Sequence, residues 1–291
     1  MLRPAIPSPG AVLRERIRRG PVMLPGVFNG ISARSAADAG AEALYMSGAG
    51  VTNALLGVPD IALAGLDEFA RQAAAITQVV RVPVIADADT GFGEAWNTYR
   101  TVLEMERAGL AGIHLEDQVS PKRCGHLDGK AVIPTEQMVD KIAAAVGAKR
   151  DPSFVIIART DARGVEGLDA AIARARAYVA AGADAVFPEG LASAAEFERF
   201  RAEVSVPLLA NMTEFGKTPI LPFAEFAAMG FEMVIYPMTA FRVMLRALDE
   251  AYGELLAKGS QAGLLDRMRT RAELYARLEY PRYESSEFRD N

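Results

Sequence analysis

Eight short apolar runs, each followed by an alanine-rich stretch of helical character, recur along the 291 residues and limit what the chain can become. They are VMLPGVFN (22–29), EALYMSG (42–48), VPVIADAD (82–89), GIHLED (112–117), FVIIART (154–160), AVFPEG (185–190), VPLLANM (206–212) and MVIYP (233–237). FVIIA and MVIY are continuously apolar, as a strand buried on both faces must be. The intervening segments, LDAAIARARAYVAA (168–181) among them, consist of strong helix formers. Ala-Gly pairs at 39–40, 108–109 and 181–182 precede the next run, where glycine ends a helix in the left-handed conformation.

Eight strand-helix repeats in one register predict an α/β fold, a (β/α)8 barrel of the TIM type. Such barrels use about 250 residues as one domain, so the reading is a single domain over 1–291. An N-terminal helix is expected within about 1–20, and extra helices within about 241–291 should pack on the barrel or on a neighbouring subunit. The absence of GxGxxG at the first helix disfavours a dinucleotide-binding sheet. A formal charge of -5 argues against nucleic-acid or anionic-membrane binding, both of which need a basic face. One cysteine allows no intrachain disulfide and suits a reducing, cytoplasmic setting. No stretch approaches the roughly 18 apolar residues of a membrane span.

In a barrel the chemistry sits at the carboxyl ends of the strands. Polar residues collect there: Tyr45 and Ser47, Asp87 and Asp89, His114, Glu116 and Asp117, Arg159 and Asp161, Glu189, Asn211 and Thr213, Tyr236. Strand residues two apart point the same way, so Asp87 and Asp89 should share one space. Two like charges held together call for neutralisation, and Mg2+ takes one or two carboxylates plus waters and substrate oxygens. Glu116 can join on the adjacent strand; the plainer alternative has one Asp capping a helix and the other paired with Arg159 or Lys122. Arg159 and Glu189 read either as an inter-strand ion pair or as a carboxylate-binding arginine with its orienting partner.

After the fourth strand comes SPKRCGHLDGK (120–130), too polar and glycine-rich for a regular element and long enough for an active-site loop. Lys122, Arg123 and His126 crowd Cys124 with potential cations, which lower a thiol's pKa toward proton exchange near neutrality. One cysteine and two histidines disfavour a zinc site.

The segments YMSGAGV, ADADTGFG, HLEDQVSPKRCGH, ARTDARGVEGLDAAI, FPEG, NMTEFGKTP, YPMTAFR and TRAELY, from about Pro25 to Tyr283, resemble the isocitrate lyase/phosphoenolpyruvate mutase superfamily. KRCGH is similar to the signature loop of its carbon-carbon-cleaving branch. The resemblance implies retro-aldol-type cleavage of a 2-hydroxy tricarboxylate, with 2-methylisocitrate split to pyruvate and succinate, in a cytoplasmic homotetramer. It implies that Asp87 and Asp89 hold Mg2+ (Mn2+ as a substitute), with Asp60 and Glu116 in the outer shell. It further implies that Ser47, Gly48 and Ala49 bind the pyruvate moiety, with Cys124 and Gly125 in the loop. Arg159, Glu189, Asn211, Thr213, Arg242 and Arg271 would contact carboxylates or order the site. Cys124 is the expected general acid, while Tyr45, Glu116 or a metal-bound hydroxide stand as alternative bases. Ala49 replaces the usual third glycine of the family and narrows the pyruvate position. The alternatives are an isocitrate lyase, an oxaloacetate decarboxylase or 2-oxo-acid hydrolase of the same fold, or a non-catalytic binding barrel.

Overall fold

The computed structural model describes residues 8–123, 125, 129–216 and 218–284. Each apolar run becomes a strand: β1 (Val22–Val27), β2 (Leu44–Met46), β3 (Val84–Asp87), β4 (Gly112–Glu116), β5 (Val155–Thr160), β6 (Ala185–Pro188), β7 (Leu209–Asn211) and β8 (Met233–Tyr236). All are shorter than the runs that announced them. The strands pair in parallel in the order β6-β5-β4-β3-β2-β1-β8-β7. A single parallel bridge, Val186 to Leu208, joins β6 to β7 and brings the sheet round into a barrel.

The helices alternate with these strands. They are α1 (Pro9–Arg19), α2 (Gly30–Asp38), α3 (Gly48–Leu56), α4 (Leu66–Thr77), α5 (Ala95–Arg107), α6 (Thr135–Ala148), α7 (Leu168–Ala180), α8 (Ala194–Glu203), α9 (Phe223–Ala228), α10 (Thr239–Lys258), α11 (Arg271–Arg277) and α12 (Pro281–Glu284). Gly40, Gly109 and Gly182 have positive φ values of 93°, 86° and 106°, which reverse the chain after α2, α5 and α7 as the Ala-Gly pairs foretold. Helix α1 lies across the amino-terminal end of the barrel. Its Ser8 cap donates to Asp151 at 2.7 Å, and Arg14 donates to the Ser153 carbonyl at 2.8 Å.

Three apolar layers hold the scaffold. Leu24, Ile85, Ile157, Phe187 and Ile235 fill the barrel, with Leu13 of α1 among them. A large cluster joins α2, α4, α5 and α6 to the outer faces of the strands, with Phe69, Ile76, Met105 and Ile142 fully buried. On the other side, Phe197, Phe226 and Phe231 meet edge to face at 5.1 to 6.1 Å beneath α8 and α9. Among the described residues no helix is long and apolar enough to cross a membrane.

Helix α10 departs from the pattern. Of its 20 residues only Phe241 is buried, resting on Phe28 at 5.4 Å; Met244 packs against the same cluster, and beyond it the helix is largely exposed. Helix α11 then reaches back to α2, where Arg277 donates to Ser35 at 2.9 Å and Arg34 donates to the Arg277 carbonyl at 3.0 Å.

The aromatic triad carries a simple test. Phe226→Ala removes a fully buried ring and should cost about 3–5 kcal/mol of unfolding free energy in a denaturant titration. A cost below about 1 kcal/mol would show that α9 is not part of the cooperative core.

Candidate active site

At the carboxyl ends of the strands lies a cavity of about 410 Å3. Its wall includes thirteen of the residues singled out by sequence: Tyr45, Ser47, Ala49, Asp60, Asp87, Lys122, Arg123, Gly125, Arg159, Glu189, Asn211, Thr213 and Arg242. A larger cavity of about 770 Å3 opens on the barrel flank, but small and apolar side chains line most of it.

Helix α3 brings its amino terminus to this mouth. Ser47 caps the helix by accepting from the Gly50 N–H at 3.1 Å. The first-turn N–H groups of a helix have no partner within it and favour anions. Gly48 allows the close approach: a Cβ there would lie 2.4 Å from Asp87 Oδ2.

Of the two aspartates only Asp87 lines this cavity; Asp89 lines a neighbouring one beside α4 and α5. Asp87 ends β3, but Asp89 is outside the strand with a φ of 47°. Strand alternation therefore does not aim it. A turn does, in which the Asp89 N–H donates to Asp87 Oδ1 at 2.9 Å and its carbonyl accepts from Glu116 N–H at 2.9 Å. Lys122 enters between the carboxylates, 2.6 Å from Asp60 and 3.0 Å from Asp89. The pairing of Asp89 with Lys122 was the plainer reading of the sequence, and it holds.

Burial and crowding set the protonation states. Burial pushes Asp89 up, and with the Asp87 and Asp60 charges beside it the carboxyl reaches about 7 despite Lys122. Burial also acts on Asp87, but the positive charges of His114 (when protonated), Lys122 and Arg159 hold it below the usual carboxylate range. Desolvation alone would weaken the Lys122 ammonium, yet Asp89, Asp87, Glu116 and Asp60 raise its pKa well above normal.

Arg159 is the second cation of the mouth. Its Nη1 lies 3.2 Å from Glu116 and its Nη2 3.5 Å from Glu189, while Nε donates to Asp161 at 2.9 Å. The Glu189 pairing was expected; the shorter contact to Asp161 was not. Burial raises the Glu116 carboxyl well above the usual range, and neither of its oxygens accepts a well-formed hydrogen bond from the described residues. Asn211 donates to Glu189 at 3.0 Å, and Arg242 lies 3.6 Å from Glu214.

Two residues noted at strand ends without a role prove central. His114 is fully buried, shares a 2.9 Å hydrogen bond with the Tyr45 hydroxyl, and lies 3.6 Å from Asp87. Its position two residues before Glu116 on one strand was the signal that it faces the same interior. Asp161, also fully buried, joins Arg159 to Lys130 at 2.7 Å. Arg271 opens α11 and is exposed in the single chain, outside the lining of this cavity. Cys124 and His126 lie outside the described residues, though Arg123 and Gly125 on either side of Cys124 both line the cavity.

The donors suit a hard divalent cation. Asp87, Asp89, Asp60 and Glu116 offer oxygen alone, and Asp89 Oδ1 and both Glu116 oxygens lack well-formed hydrogen bonds among the described residues. No three described His, Cys, Asp or Glu side chains close on one point.

A parallel barrel whose mouth collects buried carboxylates, an arginine and a helix amino terminus defines a barrel enzyme that acts on a small molecule. The chain belongs to the phosphoenolpyruvate phosphomutase family, whose model matches residues 13–256. It is 53% identical to a 2-methylisocitrate lyase of Aeropyrum pernix over 98% of this chain and 92% of that one. A crystal structure of 2,3-dimethylmalate lyase superposes with a TM-score of 0.90 at 36% identity, covering 96% of this chain and 94% of the other. A phosphonopyruvate hydrolase solved with oxalate and Mg++ gives 0.87 at 29% identity, over 97% and 99%. The two solved relatives differ in chemistry, so the reaction must be argued from the site and not from the fold.

His114 supplies a pH test. Burial lowers its pKa to about 4 from 6.5. Above pH 6.5 it is neutral in folded and unfolded chains alike; between 6.5 and 4 the unfolded chain takes up a proton that the folded one refuses. Stability therefore falls as the pH drops through this window, by up to about 3 kcal/mol from this group. Chemical denaturation across the range should show a shallower fall for His114→Gln than for the parent chain. An identical slope would mean that His114 is not held neutral.

Proposed function

We propose that the chain is a Mg2+-assisted carbon-carbon lyase that splits 2-methylisocitrate into pyruvate and succinate. The observation that carries this reading is the pairing, in one cavity, of an oxygen-only acidic cluster with Arg159, next to the loop that contains the only cysteine. The relatives named for that reaction support the choice of substrate.

The residues divide the work as follows. The first-turn N–H groups of α3 and Ser47 hold the part of the substrate that becomes pyruvate. Asp87 and Asp89 hold the cation, with Asp60 and Glu116 around them. When bound, Mg2+ supplies Lewis-acid stabilisation of the oxyanion that develops at the hydroxyl carbon. Arg159 faces a carboxylate of the part that becomes succinate and spreads its growing charge.

The hydroxyl proton leaves first. Tyr45 stands in the cavity wall, hydrogen-bonded to His114, where it can orient the hydroxyl and relay its proton, while His114 is held neutral and is not the final acceptor. Burial raises the Tyr45 pKa well above normal, which makes it a relay rather than a standing phenolate. Glu116 is fully buried behind Arg159, outside the cavity wall, and is less well placed for this step. The C2–C3 bond then breaks, its electrons enter the succinate fragment, and a proton must be delivered to that carbon. Cys124 is the proposed donor; its chain neighbours reach the cavity and cationic side chains flank it in sequence. The protons balance, with one removed from oxygen and one added to carbon.

We also infer a homo-oligomer, built on exchange of α10 between two copies. Val243, Tyr252 and Leu256 on this helix are 67%, 61% and 84% exposed, more apolar surface than a lone helix leaves in water. The apolar cavity beside α2, lined by Met23, Phe28, Ile31, Phe223 and this helix's own Met244, continues that apolar surface onto the barrel flank. A tetramer would be two such pairs.

Two measurements test these readings. Pyruvate release from 2-methylisocitrate should require divalent metal, stop with EDTA and fall by a factor of roughly 1,000 or more in Cys124→Ser, the scale of a lost general acid in a step that depends on it. Loss of CO2 from oxaloacetate, equal in both proteins and without tricarboxylate turnover, would replace the lyase by a decarboxylase. Light scattering should give a mass that is a multiple of 31.2 kDa, falling toward the single chain in Leu248→Arg/Leu255→Arg; a monomeric parent chain would end the exchange model.

A further inference from the structure

Lys130 closes the loop 120–130 and has no part in the chemistry above, yet its side chain is 5% exposed and its ammonium reaches two groups of the site. It donates to Asp161 Oδ1 at 2.7 Å and to the Gly125 carbonyl. Asp161 in turn accepts from Arg159, at 2.9 Å from Nε to Oδ2 and at 3.2 Å from Nη2 to Oδ1. Lys130 and Arg159 Nη2 thus share one oxygen, and the lysine has the shorter bond. Gly125 completes a ring: a Cβ there would stand 2.5 Å from Arg159 Nη2 and 2.6 Å from Glu189 Cγ.

The stem that carries Lys130 is firmly held. Residues 117–119 and 131–133 pair as a short antiparallel ribbon, through Val119 N–H to Ala131 and Ile133 N–H to Asp117. Asp161 is fixed independently, its N–H donating to Asp117 Oδ1 at 2.8 Å. Neither partner can follow the other if the contact is lost.

We propose that Lys130 is a positioning residue which, by competing for Asp161 Oδ1, loosens that carboxylate's hold on Nη2 of Arg159 so that this edge can turn to a substrate carboxylate, and which holds Gly125 against that arginine. The reasoning is electrostatic. Arg159 faces three carboxylates, those of Asp161, Glu116 and Glu189, with a single charge. Asp161 already holds Arg159 with both oxygens, but the Oδ1 arm to Nη2 is the longer at 3.2 Å because Lys130 takes that same oxygen at 2.7 Å. Without the ammonium that arm tightens into the even two-pronged grip that arginine and carboxylate favour. Nη2 is then drawn toward Asp161 and away from the cavity. The proposal rests on the reading that Arg159 binds a carboxylate of the ligand.

The test uses Lys130→Met, Lys130→Arg, Asp161→Asn and the Lys130→Met/Asp161→Asn double variant. It measures KM and kcat for 2-methylisocitrate, and the dissociation constant of succinate with Mg2+ and pyruvate present. Loss of one charged hydrogen bond predicts that Lys130→Met raises KM and the succinate constant roughly 10- to 100-fold, with kcat changed far less. Lys130→Arg should recover most of the affinity, and the double variant should bind no more weakly than the worse single one. A merely structural lysine would lower the active fraction, reducing kcat with KM unchanged, and that result overturns the proposal. So do single-variant effects that multiply in the double variant. A parent chain that binds succinate but turns over no tricarboxylate removes the lyase reading and leaves the Lys130 comparison intact on the binding constants. A parent chain that binds no succinate removes both.

Discussion

Among the described side chains buried at the mouth of this barrel, carboxylates outnumber cations, and much of the site follows from that imbalance. Asp60, Asp87, Asp89, Glu116, Asp161 and Glu189 gather around Lys122, Lys130 and Arg159. Burying unpaired charge costs several kcal/mol per ion, so the protein responds in the ways open to it. Asp89 is pushed up to about 7 and Glu116 well above the usual carboxylate range, both mainly by burial, so protons cover part of the excess. Lys122 and Arg159 each face several carboxylates at once. A divalent cation brings the positive charge that the side chains lack, which is the physical ground for the proposed metal role of Asp87 and Asp89.

The barrel exists to hold this unfavourable arrangement in place. Strands β3, β4 and β5 are hydrogen-bonded in register, Asp87 beside His114 and Glu116 beside Arg159, so the charged residues share a rigid ladder instead of drifting apart in loops. The apolar filling below, from Ile85 to Phe187, is a low-dielectric layer that screens their fields little. Behind the ladder, Asp117 accepts from Thr160, Tyr178 and the Asp161 N–H, tying the ends of β4 and β5 to α7. A scaffold of this kind can keep charges close because its stability is supplied elsewhere, in the helix layers.

Much of this was legible in the sequence because barrel strands advertise themselves. Continuous apolar runs such as FVIIA survive as β5, and their polar ends mark the mouth. The residue types also located the acidic cluster and Arg159. The reason given for Asp89 failed, however: its left-handed φ of 47° takes it out of the strand, and no pattern of alternating residues encodes a turn of that kind. His114 and Asp161 stood in view at strand ends, but their roles depend on contacts with Tyr45 and Lys130, 69 and 31 positions away in the chain.

The central claim is that the carboxylate excess at the mouth is a cation site. Titration of the chain with Mn2+, followed by electron paramagnetic resonance of the free ion, tests it without reference to turnover. One ion should bind per chain, and binding should be lost or weakened at least tenfold in Asp87→Asn, a change that removes charge while keeping shape. Mn2+ bound equally by Asp87→Asn and the parent chain, or by neither, would contradict the account.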